Sequence, residues 1–174
     1  MMTTATKSNA KPAKKSPAKS ATKAVGPDAV TLLIDDHKKV KKLFKEYEKL
    51  AKKDDVDGKV EIALQICEEL TVHAQVEEEI FYPAARDAIK DDDLLNEAEV
   101  EHATAKDLIA QIEEMSGDDP MYDAKVKVLS EYIDHHVEEE ETEMFPKVRK
   151  AKMDLEGLAI DIMERKEELM MAMA

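Results

Sequence analysis

Four histidines and two glutamates recur at spacings that suit metal ligation. His73 is followed by Glu77 four residues later and by Pro83 ten residues later, in the phrase HAQVEEEIFYP (73–83). His136 is followed in the same way by Glu140 and Pro146, in HVEEEETEMFP (136–146). Upstream of each phrase stands one more histidine on an apolar stripe. These are His37 in DDHKKVKKLF (35–44) and His102 in VEHATAKDLI (100–109). The chain thus offers a His and then a His-x-x-x-Glu, twice. Such a repeat predicts two similar halves around a shared centre.

Residues four apart lie on one helix face. His73 and Glu77 therefore point the same way, as do His136 and Glu140. Both pairs fall on the apolar stripe of their segment. A single histidine on such a stripe is usually a hydrogen-bonded core residue, and most glutamates in an EEE run belong to a solvated face. Four histidines and two carboxylates converging is a different case. Buried without a partner, each charge would cost several kcal/mol, and a cation removes that cost by taking their lone pairs. His135, the fifth histidine, has Glu139 four residues on, but its neighbours are charged and it reads as exposed. The alignment to Pro146 selects His136 instead.

Imidazole and carboxylate without thiolate suit iron, manganese or zinc. Six ligands exceed the needs of one four-coordinate zinc. They suit a dinuclear centre with two histidines on each side and two bridging carboxylates. Two ferrous ions bring four positive charges. Two glutamates and a bridging hydroxide return three, a balance a core tolerates. Leu43, Phe44, Ile80, Phe81, Met144 and Phe145 are placed to build a dry wall around a small ligand, although each one singly is ordinary core material.

Helices must position these groups. The apolar period is helical from Asp28 onward, with Asp28 as N-cap. The first helix carries Val30, Leu33, Ile34, His37, Val40, Phe44, Tyr47 and Leu50 on one stripe and ends near Lys53. The second runs from about Gly58 to Lys90, with Ala63, Ile66, Cys67, Leu70, Phe81 and Ala84 inward. Acids at 91–93 open the third. SGDDP (116–120) breaks the chain before a fourth helix, from about Pro120 to Lys152. A short fifth, about Asp154 to Met171, carries Leu155, Leu158, Ile162 and Leu169. Pro83 and Pro146 should kink helices two and four. Short connections favour antiparallel neighbours. The expected fold is all-α: an up-down-up-down four-helix bundle over residues 28–152, with an additional C-terminal helix, 153–174, against one end or flank.

Composition agrees. The 174 residues include only 4 glycines, 6 prolines and 7 aromatics, which disfavours sheets. The one cysteine, Cys67, excludes an internal disulfide framework and a Cys-based zinc cluster. It fits a reducing compartment, and a cytoplasmic location is expected. No apolar run is long enough to span a membrane. The net charge of −14 divides unevenly: residues 1–27 hold six lysines and no acid. That Lys/Ala/Pro-rich tail has too little apolar surface to fold and is expected to be disordered. It could bind polyanions weakly by counterion release, whereas the acidic body would repel them.

Together, His37, His73-x-x-x-Glu77, His102 and His136-x-x-x-Glu140 resemble the hemerythrin-like (HHE cation-binding) domain, over about residues 28–150. The fifth helix is similar to the C-terminal extension of many bacterial members. The resemblance implies a four-helix bundle holding two iron ions, oxo- or hydroxo-bridged, ligated by those six residues. Members bind dioxygen, sense oxygen or iron, or react with nitric oxide or peroxide. The invertebrate oxygen carriers have a further histidine four residues after the one matching His102, and an Asp as second bridge. Here Lys106 and Glu140 stand in those places. That disfavours reversible oxygen carriage and favours sensing, redox handling or iron binding. Glu78, Glu141 and Tyr47 are candidates for an extra ligand. Ferritin-type storage fits less well, because Glu-x-x-His occurs once, at Glu99 and His102. Three functions follow as expectations: a di-iron protein binding a small gas or peroxide, an enzyme consuming nitric oxide or peroxide, and a polyanion-binding accessory protein acting through its tail.

Overall fold

A computed structural model describes residues 26–174, all of them in helices or the short connections between helices. The tail read as disordered lies almost wholly outside the described residues. The elements are α1 (Ala29–Ala51), α2 (Val56–Val76), a π-helical turn (Glu77–Phe81), α3 (Tyr82–Ile89), α4 (Asp92–Glu114), α5 (Tyr122–Glu139), a second π turn (Glu140–Met144), α6 (Phe145–Lys150) and α7 (Leu155–Met173).

Aspartates start four of them. Asp28, Asp55, Asp91 and Asp154 each accept a hydrogen bond from the backbone N–H three residues on, satisfying a donor that the first turn leaves free. The helices form a closed ring: α1 packs on α2, α2 on α4, α4 on α5, and α5 on α1. The connections between them are short, so neighbours run antiparallel, as expected from the sequence.

Pro83 and Pro146, which have no N–H to donate, each follow a π turn. The Tyr82 N–H reaches back five residues to the Glu77 carbonyl, and the Phe145 N–H reaches back five to Glu140. The widened turn takes up the residue that Pro83 or Pro146 could not bond, and such turns are common at functional sites. The extra residue also turns the helix face. Ala84, expected inward, is half-buried, while Ala85 and Tyr82 are fully buried.

The core has two apolar ends. One gathers Val30, Leu33, Val76, Phe81, Leu95, Phe145 and Ile162. The other gathers Val40, Phe44, Ile66, Leu70, Ile109 and Leu129. Between them lies a buried polar layer of His37, His73, Glu77, His102, His136 and Glu140. Helix α7 lies along the flank made by α1 and α2. Ile162 and Ala159 are buried, and Leu155, Leu158 and Leu169 pack partly buried against the first cluster. Arg165 of α7 grips Glu79, with Nε 2.7 Å from Oε2.

Candidate metal centre

All six residues singled out in the sequence meet in that layer. Each helix of the ring supplies one histidine. The π turns begin at the two glutamates, one turn after His73 and His136. The Nε2 atoms of His37 and His73 are 3.2 Å apart, and those of His102 and His136 are 3.1 Å apart. The four imidazoles therefore form two pairs.

The glutamates join the pairs. Glu77 places Oε1 3.2 Å from His73 Nε2 and Oε2 3.3 Å from His102 Nε2. Glu140 places Oε2 3.2 Å from His37 Nε2 and Oε1 3.6 Å from His136 Nε2. Each carboxylate thus sends one oxygen to each histidine pair. Two groups of candidate ligands result: His37, His73, Glu77 and Glu140 on one side, and Glu77, His102 and His136 on the other, with Glu140 Oε1 farther out on that second side and bonded by the Tyr82 hydroxyl. Donor atoms around one cation at bonds of ~2.1 Å stand roughly 3.0–3.4 Å apart, which is close to these spacings. Glu77 Oε1 and Glu140 Oε2 are buried with no hydrogen-bond partner. Both belong to the His37/His73 subsite. A buried, orphaned carboxylate oxygen is costly, and a cation would satisfy both atoms. The donor set fits a metal.

A ring of outer carboxylates orients the imidazoles. His37 Nδ1 is 2.9 Å from Glu141, His73 Nδ1 3.1 Å from Asp36, His102 Nδ1 2.9 Å from Glu78, and His136 Nδ1 2.6 Å from Glu101. An ionised carboxylate only accepts, so Nδ1 donates, and Nε2 is the nitrogen that a neutral imidazole would offer to a cation at the centre. Glu78 is held in turn by Lys106, at 2.6 and 2.7 Å. Asp36 is held by Lys166 of α7.

Charge inside the layer is tightly paired. Burial disfavours charged His73, but Glu77 and Asp36 outweigh it and push its pKa up to about 10. Burial likewise opposes charge on His136, yet Glu140 and Glu101 raise it to about 9. Burial works to raise the Glu77 carboxyl, but His73 and His102 hold it well below the usual range.

Of the residues left open as an extra ligand, Glu78 and Glu141 take the outer nitrogens of His102 and His37 instead of reaching the centre. Tyr47 lies away from the centre and donates to Asp123. The cavity beside the histidines is lined by residues other than the six expected to wall it. A cavity of about 30 Å³ opens beside all four histidines, lined by Val40, Leu70, Ala105, Ile109, Ile133 and others. None of the six wall candidates lines it. Val40, Leu70, Ala105 and Ile133 each lie three residues from a histidine, so antiparallel packing brings them to one level. Leu43 and Phe44 pack deeper in the second cluster, while Ile80, Phe81, Met144 and Phe145 belong to the first. Phe145 stacks on His37 at 5.9 Å between ring centres.

One central residue escaped the sequence reading. The Tyr82 hydroxyl donates to Glu140 Oε1 at 2.7 Å and lies 3.1 Å from His102 Nε2. Burial, Glu140 and Glu77 all raise its pKa well above the ordinary value. Its counterpart in the repeat is Phe145, so a phenol stands on one subsite only. The sequence signal was that unpaired difference, FYP against MFP.

Residues 28–148 match the hemerythrin HHE cation binding domain. The chain belongs to that family. A relative from Nostoc sp., named a DNA nickase, is 34% identical over 114 residues, which is 66% of this chain but only 31% of the relative's length. A crystal structure of a hemerythrin HHE cation binding domain-containing protein from Mycobacterium kansasii superposes with a TM-score of 0.68 at 23% identity, covering 83% of this chain and 88% of that one. At that identity the likeness shows the shared fold. Family membership makes this a cation-binding domain, and the buried layer is where its His and Glu residues converge.

Proposed function

We propose that the chain holds two iron ions in the buried layer and binds dioxygen or a related small molecule there, for sensing or redox handling. The observation that carries the reading is the split of both carboxylates, one oxygen to each histidine pair. One cation would use one half of the set. Bound iron would supply one-electron redox chemistry and open positions for a diatomic ligand. The protein's part is positional. Outer carboxylates orient the four imidazoles, and Val40, Leu70, Ala105, Ile109 and Ile133 line the cavity together with Asp36 and Lys106. Its size, about two water-sized spheres, suits a diatomic molecule. Lys106, where oxygen carriers have a ligand, is tied to Glu78 and leaves that position free of histidine. Anaerobic iron loading followed by exposure to air tests this. Two irons per chain and a visible oxo-to-ferric charge-transfer band support the reading, and a colourless protein with less than one metal per chain rejects it.

Tyr82 favours a second reading, turnover of nitric oxide or peroxide. Its phenol keeps its proton beside the His102/His136 subsite, within reach of a bound ligand. Steady-state assays comparing iron-loaded wild type with His73→Ala discriminate, because equal rates would place any turnover elsewhere. The Nostoc relative's name raises action on DNA as a further proposal. The lysine tail is the segment suited to it, so salt-dependent DNA binding should vanish on deleting residues 1–27. Binding that survives the deletion would remove the tail from that role.

A further inference from the structure

Among the described residues, three His/Glu groups bring ligand atoms within 4.8 Å of one another. Two are the halves of the buried layer. The third, Glu101, His135 and Glu139, lies on the outer face of the α4/α5 pair. We propose that it is a separate, solvent-facing site for a divalent transition-metal cation, with His135 Nε2 and one oxygen from each glutamate as ligands.

The argument is geometric. His135 Nε2 is 3.4 Å from Glu101 Oε1 and 3.4 Å from Glu139 Oε1. A charge-assisted hydrogen bond would close to about 2.7–2.9 Å. The edge of a tetrahedron with metal–ligand bonds of about 2.0–2.2 Å is roughly 3.3–3.6 Å. Two equal approaches of one imidazole nitrogen match two such edges better than one shared proton. The ligand types, one imidazole and two carboxylates, suit iron(II), zinc or manganese. His135 and Glu139 repeat the i, i+4 spacing of the buried pairs, one residue out of register with His136 and Glu140. They therefore face outward from the same turn of α5.

Glu101 gives the site its fixed ligand. Its other oxygen, Oε2, is held by His136 Nδ1 at 2.6 Å, and its side chain is 12% exposed. Oε1 is thereby aimed outward at His135 without an induced rearrangement. Glu97 and Glu143 add negative charge close to Glu139. The neighbouring surface, lined by Val100, Thr104 and Tyr132 beside Glu101 and His135, is open to solvent. Three protein ligands leave further positions for water. A cation here would be linked to the buried centre through the Glu101 carboxylate and then the His136 imidazole. This site goes beyond the two-iron reading and does not depend on it.

Dialysis of the iron-loaded, full-length protein against zinc chloride tests the site, with zinc and iron per chain counted by plasma mass spectrometry. Wild type and a neighbouring control, Glu138→Gln, should each take up one zinc more than His135→Ala or Glu139→Gln. Iron should be the same in all four, and zinc affinity in the two ligand variants should fall at least tenfold. His135 is 60% exposed, so its loss leaves the fold intact, which circular dichroism would confirm. Equal zinc in wild type and both ligand variants would overturn the proposal. So would zinc gained only atom for atom against iron lost. Low iron in every sample would count against the two-iron reading, and the zinc difference would still decide this one.

Discussion

Each inward imidazole uses both nitrogens. Nε2 faces the centre, and Nδ1 donates to a carboxylate from a neighbouring helix. Asp36, next to His37 in sequence, serves His73, and Glu101, next to His102, serves His136. Glu78 and Glu141, next to Glu77 and Glu140 in sequence, serve His102 and His37. Such partners raise ligand basicity and hold ring orientation, and losing one typically lowers metal affinity about 10–100-fold. Asp36→Asn keeps the shape and removes the charge, so chelator competition should show a loss in that range, with helical content unchanged. An affinity equal to wild type would mean that Asp36 does not orient His73. Tyr82→Phe makes the two halves alike at this position. In metal-free protein it removes the donor to Glu140 Oε1, at a cost of about 1–3 kcal/mol. Urea unfolding of the metal-free variant reads that cost directly, and an unchanged midpoint would contradict the hydrogen bond's importance.

Helix-level features explain why some of this was legible and some was not. The six central residues could be read because a period near 3.6 and an internal repeat both fall within single segments. The N-cap Asp28 and the acidic start of the third helix at 91–93 were legible for the same local reason. Tyr82 and Ala85 were not, because each π turn adds a residue and rotates everything after it. A strict helical period points Ala84 inward, whereas the structure buries Ala85. The prolines marked these turns without revealing their form. The outer carboxylates were hidden differently, since they sit on charged faces and find their histidines only across helices. Their sequence neighbours, Asp36 before His37 and Glu101 before His102, were the available signal. The rotated face is testable by size. Ala85→Leu should overpack the core and cost about 1–3 kcal/mol, while Ala84→Leu should be nearly neutral. Thermal unfolding of both variants separates the two registers, and the reverse order would restore a continuous α-helix.

Across the whole molecule, an acidic body surrounds a layer that changes character with metal. Without metal, the raised pKa values of His73 and His136 stabilise the fold in their charged forms. Both exceed the unfolded value of about 6.5. Their contribution is therefore fully present below about pH 6.5 and is lost as pH rises through about 9 and then about 10. The urea midpoint of metal-free protein should fall between pH 6 and pH 10, and a rise would contradict the sign. Metal uptake runs the other way, because ligation requires neutral imidazoles and releases protons. Metal affinity should accordingly increase over the same window. No helix among the described residues is long and apolar enough to cross a membrane. The flank helix α7 also joins the layer, since Lys166 holds the Asp36 that holds His73. The central claim is that Glu77 and Glu140 each span two metal positions. X-ray absorption at the iron edge of fully loaded protein tests it most directly. The account predicts two irons per chain and an iron–iron shell within about 4 Å. One iron per chain with no iron–iron shell would contradict it.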